Sequence, residues 1–120
     1  MQVSELLKIV MEEKPHSFSE SKIISWLNEV ECEVQQQLGI SPFVPVEYDS
    51  DNLSAPKPYD RLYVSYVKAK IDMALEDFVC YENDQAQHVV DYRDFVDWVV
   101  RTGQSAVKLP ELKNVYGRRR

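Results

Sequence analysis

The chain has 120 residues, enough for one domain whose core needs no disulfide or metal support. Hydrophobic residues make up 44% of it, charged residues 28%, and only three residues are glycine, a composition that predicts a folded protein and disfavours a β fold rich in tight turns. The formal net charge of −6 argues against a general DNA-binding protein, because neutralising phosphates needs surplus Lys and Arg.

Cys32 and Cys80 stand outside any CxxC or Cys/His pattern, which disfavours a zinc site and favours a reducing cytosol. The opening MQVSELLKIVMEEK lacks the basic start and long apolar stretch of a secretion signal. No window approaches the roughly 20 apolar residues of a membrane span. We therefore expect neither a signal peptide nor a membrane segment in this sequence.

The first two predicted helices cover residues 3–13 and about 19–38. A one-sided apolar stripe marks the first, and Pro15 ends it. The second begins near Ser17 or Ser19, where Ser17 and Glu20 form an S-x-x-E capping pattern, and it closes on Gly39, which reaches the left-handed conformation without steric cost. Apolar residues follow at helical spacing: Ile23, Trp26, Leu27, Val30, Val34 and Leu38.

Residues 39–55 contain Pro42, Pro45 and a polar run that excludes a regular helix. Such a long connection in a small helical domain is usually functional or mobile. Its apolar residues, 43–46, either cover the core or await a partner, and we prefer the first hypothesis.

Pro56 and Pro58 fix the direction of the chain that enters the third helix. Pro58 is predicted at the first helical position, and Asp60 in the first turn, where its charge suits the helix dipole. Apolar residues on two sides of this helix predict either a buried central position or a partner outside. The face with the larger groups carries Tyr59, Leu62, Tyr63, Tyr66, Val67, Lys70, Met73 and Ala74.

A last helix over about 83–102, closed by Gly103, completes the pattern. The sequence therefore predicts an all-α fold: a compact bundle of about four helices with a long irregular loop before the third. Residues 1–103 form the predicted domain, and 104–120 an extended or disordered C-terminal tail. The basic residues of that tail, Arg118, Arg119 and Arg120, form either a solvated end or an arm for an acidic partner.

Evidence for catalysis is weak. His16 and His88 have no companion acid or ligand, so we expect surface positions for both, and no Gly-rich phosphate loop is present. Carboxylates at i, i+4 on two helices could bind magnesium, as in all-α nucleotide pyrophosphohydrolases, but the paired E-E-x-x-E pattern of those enzymes is missing. Solvated helix faces explain the same residues: Glu29, Glu33, Asp72 and Glu76.

Seven tyrosines occur, and Tyr59, Tyr63 and Tyr66 cluster on the third helix. A tyrosine ring with a hydroxyl that needs a partner suits half-buried edges and interfaces. For this cluster, core edge and interface both remain open.

Four segments together resemble the head–tail connector (adaptor) proteins of long-tailed bacteriophages of Gram-positive hosts. They are APKPYDRLYVSYVKAKIDMA (55–74), YEND (81–84), YRDFVDWVVRTG (92–103) and WLNEVE (26–31). In that family a proline-rich PYD-LY entry leads a central helix, and a later helix carries a Tyr–Phe/Tyr–Trp rhythm. The resemblance spans residues ~5–103, although the family turn is richer in Asn and Gly and the tail matches no motif.

The resemblance implies a non-catalytic virion protein without cofactors, found at the head–tail junction and in the host cytoplasm during assembly. Such proteins form a ring, commonly a dodecamer, below the portal protein and above the next tail-completion (stopper) protein. DNA passes through the ring without specific binding, and isolated subunits are often monomers.

On this hypothesis the expected interface residues fall into three groups. The loop contributes Tyr48, Asp49 and Leu53, and the third helix contributes Tyr59, Asp60, Tyr63 and Tyr66. In the tail, Arg118, Arg119 and Arg120 are expected to reach an acidic portal surface. Two alternatives remain: a magnesium-dependent nucleotide pyrophosphohydrolase-like enzyme, and a small acidic adaptor that binds a host protein.

Overall fold

The computed structural model describes residues 1–103, which form four helices. They are α1 (Val3–Glu13), α2 (Glu20–Leu38), α3 (Arg61–Ala74) and α4 (Phe78–Thr102). The all-α prediction with four helices is therefore confirmed. The predicted C-terminal tail, with Arg118–Arg120, lies outside the described residues.

The ends of α2 and α4 follow from local chemistry. Ser19, and not Ser17, caps α2, because its Oγ accepts the Lys22 backbone N–H at 3.3 Å. Gly39 and Gly103 close α2 and α4 with φ of 81° and 75°, the left-handed conformation that glycine adopts without penalty.

α3 runs antiparallel to α2 and to α4. Glu29 of α2 pairs with Lys70 late in α3, whereas Glu31, further along α2, bonds to Tyr63 early in α3. Tyr59, just before α3, stacks on Trp98 late in α4, whereas Asp72 late in α3 and Asp84 early in α4 bind the same Lys14, so these two helices are antiparallel as well. The bundle therefore has a corner end, where α3 turns into α4, and a loop end, where residues 39–60 connect α2 to α3.

The core lies around α3, which packs against all three other helices. Residues of the long connection, Val46, Leu53 and Ala55, complete this core from the loop side. The buried helical residues include Val3, Leu6, Val10, Ile23, Leu27, Val30, Val34, Leu62, Val64, Val67, Ile71, Phe95 and Val99.

Two predicted boundaries are wrong. α3 begins at Arg61, because residues 57–60 form a turn in which the Tyr59 N–H bonds to the Pro56 carbonyl at 2.8 Å. α4 begins at Phe78 instead of 83, because Glu76 breaks the chain direction with φ of 58° and Asp77 caps the new helix through the Cys80 N–H at 3.2 Å.

None of the helices within residues 1–103 combines the length and apolarity needed to cross a membrane.

Candidate interaction surfaces

Side chains of α2 hold the backbone of the long connection in place. The Asn28 side-chain amide both donates to the Val46 carbonyl and accepts from the Val46 N–H, each at 2.9 Å. Gln35 does the same with Val44, at 2.7 and 2.8 Å. The two amides share one face of α2, so they pair with the extended segment much as a neighbouring β-strand would.

Glu31 lies between these amides and is buried. Its carboxylate accepts hydrogen bonds from the Tyr63 hydroxyl and the Ser54 hydroxyl, both at 2.6 Å, and from Gln35 at 3.1 Å. The Tyr63 oxygen in turn accepts the Ala55 N–H at 2.9 Å. The network therefore joins α2, the long connection and α3 through charge-assisted bonds in the interior.

Tyr63 belongs to this interior network. It is fully buried, and burial, followed by the nearby Glu31 carboxylate, raises the pKa of its hydroxyl. Tyr63 was predicted as an interface residue, but in this fold its side chain offers no surface to a neighbour.

Two more of the predicted interface residues are also internal. Leu53 is buried, and its N–H bonds to the Met1 carbonyl at 2.9 Å. Asp60 is buried with one carboxylate oxygen 3.8 Å from the Met1 amino nitrogen. Tyr48 and Asp49 are exposed, although the Asp49 carbonyl accepts the Ser4 N–H and so ties the loop to the start of α1.

Tyr59 and Tyr66 lie half-buried at the edge of the core. Tyr59 stacks on Trp98 with ring centroids 5.3 Å apart. The Tyr66 hydroxyl donates to Glu29 at 2.7 Å, and burial together with this carboxylate raises the pKa of Tyr66. The tyrosine cluster therefore divides between core and edge, with Tyr63 in the core.

The loop end carries exposed apolar side chains beside two grooves of about 300 and 360 Å³. Val44 is 59% and Tyr48 66% exposed. We call this the loop-end surface, and its exposed apolar or aromatic members are Ile40, Phe43, Val44 and Tyr48. Val46 of the same segment is buried in the core, so the hypothesis that residues 43–46 cover the core is correct for Val46 but not for the exposed Phe43 and Val44.

The corner end carries a second apolar surface, which sequence reasoning missed. Val79 is 73% and Phe78 56% exposed. With Met73 and Leu75 they form what we call the corner surface. The run Leu75-Glu76-Asp77-Phe78-Val79 contains no glycine or proline, so the turn that exposes these side chains had no obvious signal, apart from Asp77 three residues before Cys80 as a possible cap.

An ionic cluster supports the corner. Lys14, just after α1, bonds to Asp72 of α3 and to Asp84 of α4, the latter at 2.8 Å. Burial, and then the hydrogen bond with Asp84, raises the pKa of Asp72 to about 6. Burial opposes ionisation of Asp84 too, but hydrogen bonds with Asp72 and Lys14 hold its pKa below the usual range.

The carboxylates considered for magnesium do not converge. Glu29 is engaged by Tyr66 and by Lys70 at 3.0 Å, and Asp72 by Lys14. Glu33 and Glu76 are exposed. Within residues 1–103, no group of three or more acidic, histidine or cysteine side chains is placed to hold a metal ion.

His88 was expected at the surface but is buried between α3 and α4. Its Nδ1 lies 3.0 Å from the Leu62 carbonyl oxygen, and its ring contacts Tyr66 and Tyr92. Burial lowers the pKa of His88, which favours the neutral ring with Nδ1–H donating to that carbonyl. The residue is a structural contact of the helix pair.

The sequence could have revealed the polar side chains of α2 that hold the long connection. Asn28, Glu31 and Gln35 repeat at spacings of three and four, which places polar groups on one helix face. A following proline-rich connection must satisfy its own backbone N–H and C=O groups, and such a stripe can do so.

Comparison with protein-family models, with curated proteins and with solved structures gives no significant match to this chain.

Proposed function

We propose that this protein is a structural head–tail connector (adaptor) of a long-tailed phage. In this role it assembles as a ring below the portal, extends the DNA channel and joins capsid to tail at the head–tail junction of the virion. It binds the portal protein on one side and the next tail-completion protein on the other, and it carries out no catalysis.

The observation that carries the proposal is that the loop-end and corner surfaces lie at opposite ends of the bundle. A subunit that joins two different proteins needs two different contact surfaces, and a ring needs lateral contacts that close by rotation. Exposed clusters of large apolar side chains are typical of sites that a partner covers. The motifs at 26–31, 55–74 and 92–103 support the same role.

The charge of the chain suits a wall around a DNA channel. A net charge of −6 repels the phosphate backbone, so DNA can pass without being held. Bound DNA would instead require a concentrated basic surface.

The test is co-sedimentation of the full chain with purified portal rings. Two variants place a charge in the apolar surfaces, Val79→Asp at the corner and Val44→Asp at the loop end. Ala86→Asp is the matched control, because it adds the same charge at an exposed position within α4. Tyr63 is unsuitable here, since its burial would turn a binding test into a folding test.

We expect the wild-type chain and Ala86→Asp to sediment with the portal, and at least one of the two surface variants to remain in the supernatant. A wild-type chain that never binds the portal contradicts the proposal. Equal binding by all variants contradicts the assignment of these two surfaces.

No specific observation favours either of the two alternative functions. For the magnesium enzyme, the partners of Glu29 and Asp72 are a tyrosine and lysines of the fold. For an adaptor that binds a host protein, the same two apolar surfaces would serve, and the portal experiment separates that role from the connector role.

A further inference from the structure

We propose that residues 104–120 dock in the groove beside the loop-end surface of their own chain, covering it until a partner displaces them. This inference does not depend on the connector role, because it concerns only how the chain covers one of its own surfaces.

The groove has two adjoining parts, and Gln35 and Ile40 line both of them. Together they offer a volume within the range of peptide and small-molecule sites. The floor and walls mix apolar side chains with amides, and the lining includes Cys32, Gln36, Gly39, Phe43, Val44, Pro45 and Asp51. A segment with both apolar and charged groups fits such a lining better than a purely apolar one.

Acidic residues border the groove. Asp51 lines it, and Glu47 and Asp49 are exposed in the same connection, within four residues of Asp51 in the chain. The Asp51 carboxylate accepts the Glu47 and Tyr48 N–H groups at 2.8 and 3.0 Å. These bonds lower the pKa of Asp51 and keep it ionised at neutral pH.

Residues 104–120 are complementary to this site in charge and in polarity. They contain five basic side chains and one acidic one, whereas residues 1–103 contain nine basic and nineteen acidic side chains. The segment therefore carries +4 against −10 for the rest of the chain. Its apolar groups, interspersed with the basic ones, are Val107, Leu109, Leu112, Val115 and Tyr116.

The docking is also possible in length. α2 and α4 run in the same direction, so Gly39 and Gly103 both lie toward the loop end. Seventeen residues span at most roughly 56–61 Å when extended. Packed helices lie about 8–10 Å apart, so a segment that starts after Gly103 at the loop end is long enough to reach the groove beside α2.

The chain contains its own reporter for this contact. Cys32 lines the groove, whereas Cys80 lies in the first turn of α4 at the corner end, and both are partly exposed. The experiment measures the iodoacetamide alkylation rate of each cysteine by peptide mass spectrometry in the full chain. Wild type is compared with Arg118→Glu/Arg119→Glu/Arg120→Glu and with Leu109→Ser/Leu112→Ser.

We expect both tail variants to raise the Cys32 rate by about 3–10-fold, as when a contact occupied most of the time is lost, and to leave Cys80 unchanged. Wild type in 1 M salt should approach the charge-reversal variant, because the screening length falls to about 3 Å. Circular dichroism should be the same for all three proteins, since the changes lie outside residues 1–103. Equal Cys32 rates in all three would overturn the proposal.

A second measurement tests the same contact by changing the groove and following cleavage of the tail. Ile40→Asp alters the groove, and Leu75→Asp makes the same kind of change at the corner surface. We expect tryptic cleavage after Lys108 and Lys113 to be faster in Ile40→Asp and unchanged in Leu75→Asp. Equal cleavage in both variants, or Cys32 protection that disappears on dilution and so comes from a second copy, would contradict docking within one chain.

Discussion

The two connections of α3 differ in length and in how many of their apolar side chains are buried. The connection that enters α3, residues 39–60, is long and irregular, yet side chains of α2 satisfy its backbone and its apolar residues Val46, Leu53 and Ala55 enter the core. The connection that leaves α3 has three residues, and it leaves large apolar side chains in solvent at the corner surface.

This difference shows that length alone does not decide which connection is available to a partner. The long one is fixed because buried carboxylate and amide groups bind its backbone. Part of its apolar content is buried in the core, and the rest stays exposed at the loop-end surface. The short one has no residues left to cover Phe78 and Val79. Variants at each connection can therefore test how much each one contributes to the stability of the fold.

The largest effect is expected for Glu31→Ala. The change leaves the buried Tyr63 hydroxyl and the Ser54 N–H without their acceptor, and hydrogen bonds to a charged group contribute about 1.5–3 kcal/mol each. We expect the free energy of unfolding in urea to fall by about 3–5 kcal/mol. Glu33→Ala, an exposed change on the same helix, is the control. A loss below about 1 kcal/mol would mean that the network does not hold the long connection.

The next prediction concerns the ionic cluster at the corner, where Asp72 and Asp84 are expected to affect stability in opposite directions as pH changes. The pKa of Asp72 is raised to about 6, so the folded state binds its proton more tightly than the unfolded state, and this contribution to stability is lost as pH rises from about 4 to about 6. The pKa of Asp84 is lowered, so its contribution is present at neutral pH and lost as pH falls.

At pH 7 we therefore expect Asp72→Asn to leave stability unchanged or to raise it, by up to about 3 kcal/mol, because it removes a charge that the site disfavours. Asp84→Asn should lower it by about 1–2 kcal/mol, since Lys14 loses a charged acceptor. Urea unfolding at pH 4 and pH 7 measures both. If both variants changed the free energy of unfolding in the same direction at pH 7, the raised pKa would not belong to Asp72.

A finer test separates the contributions of the Asn28 and Gln35 side-chain amides on α2. Asn28→Ala should cost about 1–2 kcal/mol and speed hydrogen exchange at the Val46 amide, and Gln35→Ala should do the same at Val44. Gln36→Ala, an exposed change, should affect neither amide. If each variant accelerated both amides equally, the segment would be one cooperative unit and not two separately held contacts.

Much of this fold follows from sequence patterns. The apolar spacing of α1 and α2 and the left-handed glycines at 39 and 103 are local signals, and the structure has them where the sequence predicts. The cap of α2 falls on Ser19, the second of the two serines that the sequence offered, and not on Ser17 with its S-x-x-E pattern. The α3–α4 turn was misplaced because a glutamate, and not a glycine, adopts the left-handed conformation there. Local propensity disfavours that choice, so only the packing of the two helices explains it.

The candidate surfaces were harder to predict, for a related reason. A charged residue beside an apolar stripe normally indicates solvent, but Glu31 and Asp72 are buried because hydrogen-bonding groups from other elements meet them. Such partners are distant in sequence: Tyr63 is 32 residues from Glu31. Tyrosine content alone likewise could not distinguish Tyr63 in the core from Tyr48 in solvent.

The smallest expected effect lies at the corner itself. Glu76 has φ of 58°, a conformation that costs a residue other than glycine about 1–2 kcal/mol. Glu76→Gly removes this cost but adds unfolded-chain entropy of about 0.5–1 kcal/mol, so we expect a net gain of up to about 1 kcal/mol in urea unfolding. Glu76→Ala keeps the unfavourable conformation and should bring no such gain. If both variants behaved alike, the corner backbone would carry no strain. The exposure of Phe78 and Val79 would then follow only from the shortness of the turn, and not from a conformation imposed on it.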